Sequence, residues 1–158
     1  MNNQFTSYLQ GLTSAKQDIA REAVAVYLRG TQDGKLVIKS SDDIYNFCRD
    51  LELLNIEHFD LLLMNKAYRV IKRINLSSGG IDSVTVDVRL IMKYCLLNDA
   101  TLLACIHNHP SGNLKPSDDD MGLTKKIQKA CDLLNIRLID HVIVGDDGFY
   151  SFHDNGEL

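Results

Sequence analysis

From residue 40 onward, apolar runs of strand length alternate with amphipathic segments, and this alternation constrains the possible folds more than any other feature of the chain. Five such runs predict β-strands, at residues 59–64, 68–76, 101–106, 137–144 and 149–152. Apolar residues at helical spacing predict three helices, at residues 41–54, at residues 87–97 and from residue 117 onward. Strands that alternate with helices predict an α/β fold in which helices flank a central mixed sheet.

The first 39 residues carry weaker patterns, and we treat them as an N-terminal arm. Residues 14–27 have the spacing of a helix, whereas residues 23–29 also fit an edge strand followed by a turn at 31–34. Both interpretations stay open. Residues 40–158 then form the one folded domain that a chain of 158 residues suggests.

The composition is that of an ordinary globular protein, with 45% hydrophobic and 24% charged residues. No apolar run approaches the roughly 18 residues that a membrane-spanning helix needs. The first residues lack the basic start and the apolar run of a signal peptide, so we expect a cytoplasmic protein with no membrane partner. The cysteines lie in apolar segments without a CxxC pair, and we predict buried free thiols, at Cys48, Cys95, Cys105 and Cys131.

The charge is slightly acidic overall, with a formal net charge of −4. Residues 1–79 carry 10 basic and 9 acidic side chains, and residues 80–158 carry 7 and 12. A protein that binds duplex DNA is usually basic, because neutralisation of phosphates supplies most of the non-specific affinity. The charge therefore gives no support to a nucleic-acid partner, although it remains compatible with one.

The segment HNHPSGNLKPSDDD, at residues 107–120, carries the chemistry of the chain. His107 and His109 stand two positions apart at the end of a predicted buried strand, so both imidazoles point to the same side. Two neutral imidazoles that converge can bind a divalent metal such as zinc. Asp120 falls in the first turn of the next helix, where its carboxylate could join them. Two histidines and one aspartate leave a fourth tetrahedral position open, as in catalytic zinc sites.

The second half of this pattern also has a purely structural interpretation. Ser117-x-x-Asp120 is a helix-capping pattern, and Ser40-x-x-Asp43 has the same spacing without any histidine pair before it. A pair of histidines on one strand face is equally weak by itself. The joint pattern H-x-H-x₇-S-x-x-D, placed on a strand, a loop and a helix in turn, is what predicts a metal site.

This stretch resembles the JAMM (MPN+/JAB) metalloprotease motif, and within that superfamily its RadC-like branch. The segment HNHPSGNLKPS, the aspartate after it, Thr124, LIDHVIVG and FYSF stand in the order of RadC-like sequences. The resemblance covers about residues 40–156. It implies a three-layer α/β sandwich of the JAMM and cytidine-deaminase-like type. It also implies a short form of the family, without the N-terminal helix-hairpin-helix region of longer members.

The resemblance further implies a set of roles for individual residues. One zinc ion per chain would be held by His107, His109 and Asp120, and Ser117 would donate a hydrogen bond to the developing oxyanion. JAMM peptidases also need an upstream glutamate as a general base. Of the four glutamates in this chain, Glu57, just before the predicted strand at 59–64, is most similar in placement.

The identity of the base stays open at this point. Glu57 is the first candidate, although a solvated carboxylate at a strand start is its simplest interpretation. Asp60 is a second candidate, and a chain without a functional base is the third interpretation. Many RadC-like sequences carry an acidic residue near the position of Asn75, and if that residue is the base, this chain lacks it.

Three further histidines need an interpretation. His141 either pairs with Asp140 or is held by the backbone, or it supports the metal ligands or the substrate. His58 and His153 are predicted to be surface residues.

Together these features predict a zinc-dependent metallohydrolase that cleaves peptide or isopeptide bonds in peptide or protein substrates. The alternative is a non-catalytic RadC-like metal-binding module that acts in DNA repair or recombination. The sequence leaves the oligomeric state open.

Overall fold

A computed structural model of the chain describes residues 36–78, 86–146 and 148–158, together with six single positions between Ser14 and Val24. Those six positions are helical. The other residues up to position 35, including most of the alternative edge strand and the turn at 31–34, lie outside the described residues.

From residue 36 onward, the described ranges contain three α-helices, one 3₁₀-helix and five β-strands. The helices are α1 (Ser41–Phe47), the 3₁₀-helix (Arg49–Leu53), α2 (Val88–Leu97) and α3 (Asp118–Leu133). The strands are β1 (His58–Met64), β2 (Val70–Ser78), β3 (Leu102–Asn108), β4 (Arg137–Gly145) and β5 (Gly148–Ser151).

The five strands form one mixed sheet in the order β2-β1-β3-β4-β5. Strands β3 and β4 are parallel, and the other neighbouring pairs are antiparallel. A parallel pair needs a crossover connection, and α3 supplies it between β3 and β4. The loop that follows β3 and the start of α3 therefore meet at the carboxyl end of β3.

Each face of the sheet carries its own hydrophobic cluster. On one face, Leu62 and Ala104 pack with residues of α1 and the 3₁₀-helix. On the other face, Leu61 and Cys105 pack with residues of α2 and α3, including Ile127. The predicted three-layer α/β sandwich with a central mixed sheet is confirmed.

All four cysteines are buried and free, as predicted. Burial raises the pKa of the Cys95 thiol to about 11 and that of Cys131 to about 12, so both stay protonated at neutral pH. Within the described ranges, no helix combines the length and the apolar character needed to cross a membrane.

The first helix is shorter than its apolar spacing predicts. The pattern over residues 41–54 predicts one helix, but α1 ends at Phe47 and a 3₁₀-helix follows. The guanidinium of Arg73 reaches this point from β2 and donates to the Phe47 carbonyl (3.3 Å) and to the Asp50 carboxylate. In a continuing α-helix, the N–H of Leu51 would donate to the Phe47 carbonyl. Here that carbonyl accepts from Arg73, and the N–H of Leu51 donates to the Cys48 carbonyl, so the α-helical hydrogen bonding ends at this point.

Strand β3 extends two residues beyond the predicted end at 106. It does so because both neighbours continue to pair with it: His107 stands opposite Phe59 of β1 and Ile143 of β4. His107 is therefore part of the strand, and the loop begins only at His109. Strand β2 starts at Val70 instead of residue 68, since Tyr68 sits in a turn with φ of 58°.

A buried ionic cluster joins β1, β2 and the 3₁₀-helix. The Arg73 guanidinium donates to Asp60 (2.7 Å) and to Asp50 (2.5 Å), and all three side chains are almost fully buried. Removing one partner from a buried ion pair leaves an uncompensated charge, which is strongly destabilising. Arg73 thus links the edge strand β2 to the elements on the α1 face.

We predict that Arg73→Met lowers the free energy of unfolding by about 3–5 kcal/mol, because two buried carboxylates lose their counter-charge. Urea unfolding followed by circular dichroism measures the change. Arg89→Met is the matched control, since the Arg89 guanidinium pairs with Asp87 while 91% exposed, and its loss should leave the melting temperature unchanged. Equal stability of the two variants would contradict the prediction.

Candidate metal centre

Strand β3 and the loop after it present two imidazoles to one side. Cys105 and the next odd-numbered residue, His107, point to the face of the sheet that α2 and α3 cover. His109 follows one residue after the strand ends, and its N–H donates to the Val144 carbonyl of β4 (2.9 Å). This bond keeps the backbone extended for one residue beyond β3, so the side chain of His109 lies on the same face of the sheet as that of His107.

The loop then folds back over β4. Gly112 has φ of 75°, a conformation that favours glycine, and its N–H donates to the His109 carbonyl (2.9 Å). The turn brings the Asn113 carbonyl to within 2.5 Å of His109 Nδ1. Leu114 lies over Gly145 so closely that a Cβ there would stand 2.7 Å from Leu114 Cδ2. The missing side chain at Gly145 is therefore what lets the loop pack against the sheet.

The start of α3 is a complete capping box. Ser117 Oγ accepts from Asp120 N–H (3.1 Å), and the Asp120 carboxylate accepts through Oδ2 from Ser117 N–H (2.8 Å) and from Ser117 Oγ–H (2.6 Å). The capping interpretation of this pair is thus correct. The same bonds hold Oδ2 and leave Oδ1 facing His107 Nε2 at 3.2 Å. Capping and ligand placement are therefore compatible.

Three ligand atoms converge at this point. His107 Nε2 lies 3.0 Å from His109 Nε2 and 3.2 Å from Asp120 Oδ1, and the other carboxylate oxygen of Asp120 lies 3.7 Å from His109 Nε2. One potential ligand atom from each of the three residues lies within 4.8 Å of the other two. The structure therefore brings together the three residues that the sequence pattern selects.

The chemistry of these atoms fits a metal cation. His109 Nδ1 faces a carbonyl, which can only accept, so Nδ1 carries the proton and Nε2 carries a lone pair. The Asp120 carboxylate accepts two hydrogen bonds from Ser117 through Oδ2, and such bonds favour its ionised form. An ionised carboxylate and imidazole lone pairs directed at one point repel each other unless a cation lies between them. His₂Asp is a ligand set that zinc accepts.

His141 of β4 lies behind the cluster. Its ring is fully buried between Phe59 and Phe152, with ring centroids 5.6 and 4.8 Å away. Its Nε2 is 2.9 Å from His107 Nδ1, and its Nδ1 is 2.6 Å from Thr124 Oγ1. Burial, followed by the neighbouring His107, lowers the pKa of His141 well below its usual value.

Asp140 does not pair with the ring of His141. Its carboxylate accepts from the backbone N–H of His141 (2.8 Å) and of His153 (3.1 Å), and from the Ser151 hydroxyl (2.7 Å). Of the open interpretations of His141, contact with a ligand residue is the one that the ring geometry matches.

A cleft of about 920 Å³ opens in front of the cluster. Its walls include all three members of the cluster together with Ser117, Lys115 and Lys126. Glu57, the residue before β1, is half-buried and lines the same cleft. The structure thus brings Glu57 and the His–His–Asp cluster to one cavity.

The other candidate for a base faces the opposite side of the sheet. Asp60 receives hydrogen bonds from Arg73 (2.7 Å) and Asn75 (2.8 Å), and alternation along β1 puts it on the α1 face with Leu62. This placement excludes Asp60 as a base for the cleft. An acidic residue at position 75 with the orientation of Asn75 would face the same way.

His58 corrects a prediction, because it is buried with 4% of its surface exposed instead of lying on the surface. Its Nδ1 lies 3.0 Å from Asn75 Nδ2, and its backbone N–H donates to Asn108 Oδ1 (2.8 Å). His153 is exposed as predicted.

The sequence assigns no role in the site to Thr124, which it shows only as one of the positions that resemble the family, or to Asn113. Thr124 stands four residues after Asp120 and thus on the same face of α3, a signal that could have found it. Asn113 acts through its backbone carbonyl, for which residue identity gives no signal.

The fold and the cluster define an α/β domain with a candidate metal site at the junction of β3 and α3. Residues 38–157 match the family model described as the RadC-like JAB domain. The chain belongs to that family, as its resemblance to RadC-like sequences predicts.

The chain is also similar to several curated bacterial proteins, which are named only as UPF0758 proteins. The one from Porphyromonas gingivalis is 46% identical over 103 residues, which cover 65% of this chain and 45% of the relative. The one from Flavobacterium johnsoniae is 43% identical over 121 residues, 75% of this chain and 52% of the relative. The one from Bacillus licheniformis is 35% identical over 125 residues, 78% and 56% respectively. The chain therefore spans about half the length of these relatives.

We predict that the purified chain binds about one zinc ion near neutral pH and that a His107→Ala/His109→Ala variant binds none. Zinc should dissociate in acid, because histidine must be neutral to act as a ligand. Elemental analysis after gel filtration measures the zinc content. His153→Ala removes an exposed histidine and should bind as much zinc as the unaltered chain. Equal zinc content in the double variant would contradict the prediction.

A second prediction concerns the packing of the loop. Gly145→Ala introduces a methyl group against Leu114 and 3.2 Å from the Gly112 carbonyl, so the loop must shift and zinc binding should weaken. Gly122→Ala is the matched control, because a Cβ there meets nothing within 4 Å. Alanine inside α3 should raise the free energy of unfolding by about 0.5–1 kcal/mol without weakening zinc binding. Zinc titration measures the affinity of both variants, and circular dichroism checks that both remain folded. Equal zinc affinities of Gly145→Ala and Gly122→Ala would contradict the packing argument.

Proposed function

We propose that this domain is a zinc-dependent metallohydrolase of the JAMM type that cleaves peptide or isopeptide bonds in peptide or protein substrates. The observation that carries the proposal is that Glu57 and the His107–His109–Asp120 cluster line the same cleft. Membership of the RadC-like JAB domain family supports it. We also propose a cytoplasmic location, as the sequence predicts.

The cluster would hold the zinc through His107 Nε2, His109 Nε2 and Asp120 Oδ1. When bound, zinc supplies a Lewis acid that polarises a carbonyl oxygen and lowers the pKa of water. The capping box keeps the Asp120 carboxylate in a fixed orientation, because two donors of Ser117 hold its other oxygen. Asn113 fixes the ring of His109 in the same way through its carbonyl.

Glu57 is proposed as the general base. Its carboxylate would take a proton from the attacking water and then deliver that proton to the nitrogen of the departing amine. A half-buried position in the wall of the cleft suits this task, since the carboxylate can reach substrate while partly shielded from solvent.

Ser117 is proposed as the donor to the developing oxyanion. In the structure its hydroxyl donates to Asp120 Oδ2, and its backbone N–H donates to the same oxygen. If the hydroxyl turns toward substrate, the N–H still holds Asp120. A hydrogen bond made only in the transition state would then contribute to rate and not to ground-state binding.

We predict that Glu57→Gln keeps the fold and the zinc but loses hydrolysis, because an amide cannot accept and release the proton. Cleavage of a peptide mixture and of lysine-linked isopeptides is followed by mass spectrometry with zinc-loaded protein. Zinc content and melting temperature, measured on the same samples, serve as the controls. Equal cleavage by the Glu57→Gln variant would remove Glu57 from the proposed mechanism.

If the zinc-loaded unaltered chain cleaves neither substrate type, the hydrolase proposal fails. Salt-sensitive binding of DNA by that same sample would then favour the alternative of a non-catalytic module in DNA repair or recombination.

For Ser117, the capping role and the catalytic role give different predictions. Ser117→Ala should lower the free energy of unfolding by about 1 kcal/mol through loss of the cap. At saturating zinc it should also lower turnover by about 10²–10³-fold through loss of the oxyanion donor. Ser117→Asp keeps a capping group but cannot donate when ionised, so we expect it to be folded and inactive.

Ser40→Ala is the matched control for the two Ser117 variants. Ser40 Oγ caps α1 by accepting from Asp43 N–H (3.3 Å), outside the cleft. Its loss should lower stability by a comparable amount and leave turnover unchanged. If Ser117→Ala loses no more turnover than Ser40→Ala, Ser117 is a cap alone.

A further inference from the structure

A chain of hydrogen bonds runs from one candidate ligand to the backbone of another. His107 Nδ1, on the far side of the ring from the cleft, lies 2.9 Å from His141 Nε2. His141 Nδ1 lies 2.6 Å from Thr124 Oγ1, and that hydroxyl donates to the Asp120 carbonyl at 2.7 Å. All three side chains are buried, so water does not compete for these bonds.

The end of the chain fixes the direction of every bond. A carbonyl can only accept, so the single hydroxyl proton of Thr124 is committed to Asp120. The oxygen of Thr124 must then accept from His141 Nδ1–H. In a neutral imidazole the other nitrogen is an acceptor, and His141 Nε2 therefore accepts from His107 Nδ1–H.

The surroundings of His141 favour the neutral ring. Its two nitrogens meet a hydroxyl and another imidazole, and aromatic rings of Phe59 and Phe152 cover it. A charged imidazolium would sit there without a carboxylate hydrogen-bonded to its ring, which is costly in a buried position.

The direction matters because it decides which nitrogen of His107 is free. With the proton on Nδ1, Nε2 carries a lone pair that faces His109 and Asp120. If every bond were reversed, Nε2 would carry the proton and could not bind a metal, and the Asp120 carbonyl would lose the Thr124 hydroxyl.

We propose that Thr124 and His141 form a relay that fixes His107 in its Nδ1–H tautomer and thereby keeps Nε2 available as a metal ligand. Both are positioning residues, since neither faces the ligand cluster. The inference rests on the proposed metal site. It gives His107 the same arrangement that the Asn113 carbonyl gives His109, with an acceptor behind the ring and a lone pair in front.

The test removes the acceptor at the far end of the relay and keeps the volume. Thr124→Val leaves His141 Nδ1–H without a partner, so binding metal in the required tautomer becomes costly. Loss of such an outer partner lowers metal affinity by about 10–100-fold. We expect this weakening for zinc and for cobalt, measured by competition with a chelator of known affinity, without loss of circular dichroism.

Two further variants separate the relay from packing. Thr124→Ser restores the hydroxyl without the methyl group, so it should recover most of the affinity. Thr101→Val makes the same change at an exposed threonine outside the cleft and should bind metal like the unaltered chain. Full affinity in Thr124→Val, or equal losses in Thr124→Val and Thr124→Ser, would overturn the relay.

A second readout needs neither metal nor activity. Proton–nitrogen correlation spectra of the metal-free chain report which ring nitrogen is protonated, at about pH 8, above the usual histidine pKa of about 6.5. The relay requires Nδ1–H on both His107 and His141, and Nε2–H on His141 would overturn it. If the expected tautomers are seen but the unaltered chain binds neither zinc nor cobalt, the proposed metal site and function fail, and only the assignment of the tautomers by the relay is upheld.

Discussion

The pairing of β3 with a strand on each side is the constraint on which the rest of the site depends. Antiparallel pairing with β1 and parallel pairing with β4 carry β3 as far as Asn108, so His107 is fixed by the backbone of three strands. The parallel pair also requires a helical crossover, and α3 is that crossover. The same topological demand therefore brings Asp120, in the first turn of α3, back to the end of the strand that carries the histidines.

The two faces of the sheet hold polar groups in different ways. On the α1 face, an arginine and two aspartates form a buried ionic cluster that also breaks the first helix. On the α2 and α3 face, hydrogen bonds join His107, His141 and Thr124. Burial favours neutral imidazoles, and a neutral imidazole keeps the lone pair that a metal needs. The sheet thus separates the charged structural cluster from the candidate metal site.

Membership of the RadC-like JAB domain family accounts for nearly the whole described domain, from residue 38 to 157. The chain spans about half the length of its curated relatives. Within that cleft, Ser117 combines two tasks, because the bonds that cap α3 are those that orient the Asp120 carboxylate. Because the same bonds serve both tasks, the stability of the start of α3 depends on the same contacts as the geometry of the candidate metal site.

The sequence by itself determined the layers of the fold and the three convergent residues, because hydrophobic period and chain order are local properties. The predicted α1 is too long, because the Arg73 guanidinium from β2 ends the helix. The predicted β3 is too short, because pairing with β1 and β4 extends the strand. The sequence left Glu57, Asp60 and a chain without a base as open interpretations, and only the strand orientation excluded Asp60. The relay through His141 and Thr124 required the tertiary structure most of all, because the direction of its hydrogen bonds depends on which groups meet across 34 and 17 residues of chain.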